Sequence, residues 1–229
     1  MSKQQKIFEQ IKRRLIVSCQ ALPEEPLHSP FIMSKMADAA MKGGAAGIRA
    51  NSVEDIKAIK ETVNLPIIGI IKRVYENSAV FITPTALEID LLYKADVDII
   101  ALDATKRIRP DGKTISETFP EIRAKYKDQL FMADCSTFEE AMEAYKLGFD
   151  CVGTTLNGYT EYTKHHQIPD LDLIKQLVNG LPIPVIAEGG IWTPEELKSV
   201  FDLGVHTAVV GTAITRPMEI TKRFVQVIE

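Results

Sequence analysis

The sequence predicts an α/β protein folded as a single closed (β/α)8 TIM barrel of the phosphate-binding type, and three observations predict it. From Leu15 onward, short apolar runs alternate with amphipathic helical patterns, and the count of such units reaches eight. The runs are continuously apolar rather than alternating, as in parallel strands covered by helices. Eight units within 229 residues fit a closed barrel better than an open sheet.

Taken in order, the predicted strands are Leu15–Cys19, 46–50, 67–72, 98–103, Leu130–Asp134, 151–155, 184–188 and 207–211. Helix signals fall between them. Residues 53–60 are amphipathic, and so are residues 138–147, which close on the stop signal Gly148. Thr85-Ala86-Leu87-Glu88 reads as a capping box, and Thr193-Pro194-Glu195-Glu196 puts proline at the first helical position. Ser29-Pro30 and Arg216-Pro217 introduce further helices, the second leading into residues 218–228. No linker or low-complexity tract divides the chain, which predicts one domain over residues 1–229. The connection 72–85 carries Arg73, Tyr75 and Phe81 and is long enough to fold over a site as a lid; the alternative is an irregular surface loop.

Composition narrows the function. No apolar run reaches the roughly 20 residues needed to span a bilayer, and the first six residues lack a signal peptide's apolar segment, so a cytoplasmic protein is expected. Cys19, Cys135 and Cys151 are odd in number and lack metal-ligand spacing, which fits a reducing compartment. A net charge of −4 argues against nucleic acid or an anionic membrane as partner and leaves room for a local anion site.

The stretch 184–190 is a buried-type strand ending on Glu188 and followed by Gly189-Gly190 and a helix start. In a parallel barrel Glu188 lies at the carboxyl end of its strand, where barrels place their chemistry. Taken alone, the acid reads equally as a structural partner for a lysine or arginine. Strand alternation puts Ile68, Ile70 and Lys72 on one face, as it does Ile186 with Glu188, Gly47 with Arg49, and Met132 with Asp134. With those faces inward, Gln20, Arg49, Lys72, Asp134 and Glu188 converge at one rim from five strands. Asp103 also ends a strand, but Lys106, Arg107 and Arg109 offer it ordinary partners.

Gly189-Gly190 after the seventh strand and Gly211-Thr212 after the eighth occupy the loops where barrels bind phosphate through backbone N–H groups, and Arg216 can add a fork of donors. Adjacent His165 and His166 cannot both face one ligand from a regular helix, so no metal is expected. His206 falls on the stability face, His28 reads as solvent-exposed, and Cys135 has no histidine partner evident in sequence. Tyr159 and Tyr162 either wall the pocket or cover it.

Several segments together resemble bacterial N-acetylmannosamine-6-phosphate 2-epimerases over nearly the whole chain. They are Val17-Ser18-Cys19-Gln20-Ala21, Gly47-Ile48-Arg49-Ala50, Ile68-Gly69-Ile70-Ile71-Lys72-Arg73, Ile82-Thr83-Pro84-Thr85, Ala101-Leu102-Asp103-Ala104-Thr105, Met132-Ala133-Asp134-Cys135-Ser136-Thr137, Ile186-Ala187-Glu188-Gly189 and the run 209–216. Gly190 lies outside the matching pattern. The resemblance implies a catalytic pair at Lys72 and Glu188, substrate contacts by Gln20, Arg49 and Asp134, and phosphate contacts by Arg216 and neighbouring backbone. It implies interconversion of two 6-phosphorylated N-acetylhexosamines in sialic acid catabolism, without a cofactor. Inversion at C2 needs a proton removed and one returned to the opposite face. Lys72 takes and returns protons with Glu188 assisting, or the roles are reversed. Two rivals stand beside this reading: an aldolase-like lyase with a Schiff base on Lys72, and a phosphosugar-binding protein without catalysis. A homodimer through the last helix is expected as well.

Overall fold

The computed structural model describes residues 3–228. The chain runs α1 (Lys3–Ile11), β1 (Leu15–Cys19), α2 (Pro30–Lys42), β2 (Gly47–Asn51), α3 (Val53–Lys60), β3 (Ile67–Ile70), α4 (Ala86–Lys94), β4 (Ile99–Asp103) and α5 (Ile115–Lys125). It continues through β5 (Leu130–Asp134), α6 (Phe138–Leu147), β6 (Cys151–Gly153), α7 (Leu171–Gly180), β7 (Val185–Glu188), α8 (Pro194–Asp202), β8 (Thr207–Val210), α9 (Thr212–Thr215) and α10 (Pro217–Val225). Each strand pairs in parallel with the next, and β8 pairs with β1 to close the barrel.

Two apolar layers hold it together. Between sheet and helices lie Ile48, Ile56, Ile59, Phe119, Phe131 and their neighbours. Inside the barrel, Ile16, Ile68, Ile70, Ile99, Met132, Ile186 and Val209 pack together, which puts the predicted inward faces inward. Helix α1, which periodicity beginning at Leu15 did not anticipate, adds Ile7 and Ile11 to this inner layer.

Local punctuation behaves as its chemistry dictates. Thr85 with Glu88 and Thr193 with Glu196 form the expected capping boxes, and Gly148 ends α6 with φ of 90°. Ser29 precedes α2 but makes no side-chain cap hydrogen bond, leaving proline at the first helical positions as the start signal.

The third strand stops at Ile70 rather than Lys72. Past that point the Lys72 N–H donates to Asn51 Oδ1 at 2.8 Å, and the chain enters an antiparallel excursion with Lys72 opposite Ile82 and Tyr75 opposite Ser78. Asn77 and Ser78 tie this loop to the carbonyls of Pro110 and Ile108. At its far end Thr83 has a positive φ of 46°, a conformation that side chains avoid. Its hydroxyl donates to Ala101 O at 2.7 Å and its carbonyl accepts from Arg109 Nη2 at 2.8 Å, contacts that hold it there.

Candidate active site

At the carboxyl-terminal mouth the inner layer changes from apolar to charged. Arg49 projects inward from β2 and is only 1% exposed. Its Nη2 lies 2.6 Å from Asp134 Oδ2, and its Nη1 lies 3.1 Å from Asp134 Oδ1 and 3.0 Å from Glu188 Oε2. One guanidinium therefore joins carboxylates from β5 and β7. Thr155 completes the link, with its hydroxyl 2.7 Å from Asp134 Oδ1 and 3.2 Å from Glu188 Oε2. A hydroxyl has a single proton, so when Thr155 donates to Asp134 its lone pairs remain open to a protonated Glu188.

The environment pushes these groups toward unusual protonation states. Burial raises the Glu188 carboxyl to about 7, against the pull of Arg49 and with help from nearby Asp134. Burial and then the Arg49 charge hold the Lys72 amine below the ordinary lysine range, although Glu188 opposes them. For Arg49 itself, burial is outweighed by Asp134 and Glu188, which keep it cationic. Lys72 lines a cavity of about 290 Å³ together with Ser18, Gln20, Arg49, Thr155 and Glu188. Its amine makes no hydrogen bond or ion pair with the described residues, so a ligand meets an unengaged nitrogen beside a carboxyl that holds its proton near neutrality.

The loops after β7 and β8 border the same cavity. Gly189 and Gly190 have φ of 108° and 72°, which glycine alone adopts freely. A Cβ on Gly190 would also stand 2.5 Å from the backbone carbon of Ile168, so the Gly-Gly pair is a fitted turn. Gly211 precedes the short helix α9, whose first N–H groups have no intrahelical acceptor. Arg216 follows it and is gripped by Glu25, Nε to Oε2 at 3.0 Å and Nη2 to Oε1 at 2.8 Å. Gly189, Gly190, Gly211, Thr212 and Arg216 all line the cavity.

Of the five residues expected at the rim, four line this cavity. Asp134 does not line it: it is fully buried, with both carboxylate oxygens bonded to Arg49. Strand alternation turned it inward as expected, while its depth there is set by the pairing with Arg49, which alternation does not show. Gln20 donates to Ser18 Oγ at 2.7 Å, and its own buried Oε1 has no partner among the described residues.

Sequence reasoning missed Thr155 and Glu25. Thr155 stands at the end of the predicted sixth strand and carried a signal, whereas Glu25 sits in an acidic surface-like loop and carried none. Tyr159 lines the cavity, while Tyr162 donates to Glu140 outside it. His28 is exposed, and His206 bonds Phe8 O at the opposite mouth. Asp103 is held by Thr105 and Arg107. Among the described residues no group of three metal-ligating side chains occurs, and no helix is long and apolar enough to cross a membrane.

Residues 33–229 match a family model described as "NanE: Putative N-acetylmannosamine-6-phosphate epimerase". A relative from Clostridium perfringens strain SM101 is 57% identical over 223 residues, covering 97% of this chain and all of the relative. This chain belongs to the N-acetylmannosamine-6-phosphate 2-epimerase family. A second family member, from Clostridioides difficile strain 630, is 56% identical over 97% of this chain and 99% of its own length. Both relatives bear the name "Putative N-acetylmannosamine-6-phosphate 2-epimerase". A solved structure of the N-acetylmannosamine-6-phosphate 2-epimerase from Clostridium perfringens superimposes with a TM-score of 0.91, covering 96% of this chain and 95% of that one at 57% identity. A thiamine phosphate pyrophosphorylase from Pyrococcus furiosus, 18% identical with a TM-score of 0.63 over 93% of each chain, shares the family's fold.

Proposed function

We propose that this chain interconverts N-acetylmannosamine 6-phosphate and N-acetylglucosamine 6-phosphate by removing the proton at C2 and returning one to the opposite face, as a step in sialic acid catabolism in the cytoplasm. One observation carries the reading: the unengaged Lys72 amine and the raised Glu188 carboxyl border one cavity, with Arg49 beside them and two glycine loops at its edge.

In the ring-opened sugar the C1 carbonyl makes the C2 proton acidic, and the enolate formed on its loss needs a cation. Arg49 remains charged under all ordinary conditions and supplies one. Lys72, held below the usual lysine range by burial and Arg49, is shifted toward the neutral form that a base requires. Glu188, with its affinity for a proton set near neutrality, suits proton return on the other face. In the reverse direction the two exchange roles, and the pair titrates as a unit. Asp134 and Thr155 position Arg49 and Glu188 from behind. Phosphate at the far end is met by the backbone at Gly189, Gly190, Gly211 and Thr212, and by Arg216.

The test is incubation with N-acetylmannosamine 6-phosphate in deuterated water, followed by NMR. The expected product is N-acetylglucosamine 6-phosphate with deuterium at C2, and conversion without label overturns the proton-transfer route. The same depressed amine also suits a Schiff base, so borohydride provides a second check. Covalent reduction of substrate onto Lys72 would make the enzyme a lyase. We further infer a homodimer, because α10 buries no residue of its own and turns Met218, Phe224 and Val225 outward. A monomeric mass by light scattering counts against it.

A further inference from the structure

Arg216 is held in an unusual way for a residue meant to receive an anion. Its carboxylate partner, Glu25, is only 8% exposed and borders the same cavity. Glu25 Oε1 also accepts the Leu22 N–H at 3.2 Å, so the carboxylate is fixed from within the β1–α2 loop. A carboxylate next to a phosphate site opposes binding of a dianion, and its presence there calls for a compensating benefit.

The geometry of the contact supplies one. A guanidinium has two edges able to make paired hydrogen bonds, one through Nε and Nη2 and the other through Nη1 and Nη2. Glu25 occupies the first edge, at 3.0 and 2.8 Å. The second edge has no acceptor among the described residues and belongs to a side chain on the cavity wall. Arg216 ends α9 and precedes α10 with φ of −118° and ψ of 77°, so neither helix fixes its side chain. Among the described residues Glu25 is its side chain's hydrogen-bond partner.

We infer that Glu25 is a positioning residue that takes one edge of the Arg216 guanidinium in order to present the other, pre-aligned, to the phosphate of the substrate. The inference rests on the reading of Arg216 as a phosphate contact. Its effect is on affinity: an arginine already immobilised loses little freedom when the phosphate arrives.

The experiment compares wild type with Glu25→Gln, Glu25→Asp, Arg216→Met and the Glu25→Gln/Arg216→Met double variant. It measures KM and kcat for the phosphosugar and, separately, the binding constant of inorganic phosphate by calorimetry. Glu25→Gln is expected to raise KM and weaken inorganic phosphate by about tenfold, with kcat less affected. Glu25→Asp should fall between it and wild type. The double variant should be no weaker than Arg216→Met alone, because Glu25 acts through that side chain. The inference is overturned if Glu25→Gln binds phosphate as well as wild type or more tightly, as a merely repulsive carboxylate requires, or if the two losses add. A purely structural role would lower melting temperature and kcat together and leave phosphate binding by the folded fraction unchanged. A wild type that binds phosphate without epimerising the sugar defeats the proposed function and not this inference. Normal turnover with phosphate binding indifferent to residue 25 does the reverse.

Discussion

At the amino-terminal mouth of the barrel, α1 closes the interior with Ile7 and Ile11 packed onto the layer of Ile16, Ile68, Ile99 and Leu130. At the carboxyl-terminal mouth the same interior ends in Arg49, Asp134 and Glu188, with Lys72 beside them. The strands are shared, so the contrast comes from which residue stands last on each inward face. The apolar mouth loses water on closing and contributes stability in proportion to the area it buries. The charged mouth must desolvate four ionisable groups, and the geometry around Arg49 offsets that cost only in part. A titratable group at the apolar mouth conforms to its surroundings: burial lowers His206, favouring the neutral ring, which lies edge-on to Phe8. Stability is concentrated at one end of the barrel and chemistry at the other.

The sharpest way to break this comparison is to remove the proton-carrying groups. Lys72→Ala and Glu188→Gln should each lower kcat by about 10²- to 10⁴-fold, the usual worth of a positioned acid or base. Hydrogen exchange at C2 in deuterated water distinguishes the two faces. A variant that still exchanges at the wild-type rate removes that residue from the proton path. Next in size is Asp134→Ala, which leaves the buried Arg49 with Glu188 as its one carboxylate partner. The loss should be about 3–5 kcal/mol in a denaturant titration, together with loss of activity as Arg49 shifts. Ile11→Ala makes the opposite cut. It should cost roughly 2–3 kcal/mol, the low end for a buried isoleucine because α1 is peripheral, with kcat and KM within twofold of wild type. A change in kinetics comparable to that of the Asp134 variant would dissolve the distinction between the two mouths.

The sequence exposed the two ends unequally. Eight apolar runs and their glycine and proline punctuation defined the barrel, because period and breaker residues act locally. The inward alternation through Ile186 to Glu188 and through Met132 to Asp134 placed the charged groups at one rim for the same reason. Depth along that rim was not legible. Asp134 and Glu188 both end strands, yet one is sealed behind Arg49 and the other opens to the cavity. Which is which depends on an arginine arriving from three strands away. Glu25 was hidden for a related reason: nothing local separates an acid that grips a distant arginine from one that faces water. Helix α1 escaped because nine polar-rich residues carry too few apolar positions to announce a helix before the barrel's lower layer exists to receive them.

The smallest effect tests whether the charged mouth is held under electrostatic stress. Glu188 is raised in the folded chain to about 7, above its ordinary 4.5. Between those values the folded state binds more protons than the unfolded one, so this group's contribution to stability is full below about pH 4.5 and is lost as pH rises through about 7. Glu188→Gln keeps a hydrogen-bonding side chain near Arg49 and has no such titration. The unfolding free energy of the variant minus that of wild type should therefore increase from pH 5 to pH 8, by an amount on the order of 2 kcal/mol. Lys72→Met makes the complementary case. Because burial and Arg49 hold the folded amine below its ordinary range, carrying the proton costs the folded state more than the unfolded one, and removing the amine should raise the melting temperature while abolishing turnover. A flat difference for the glutamine variant, with no gain for the methionine variant, would mean that the charged mouth is as relaxed as the apolar one and that its protonation states come from the substrate rather than the fold.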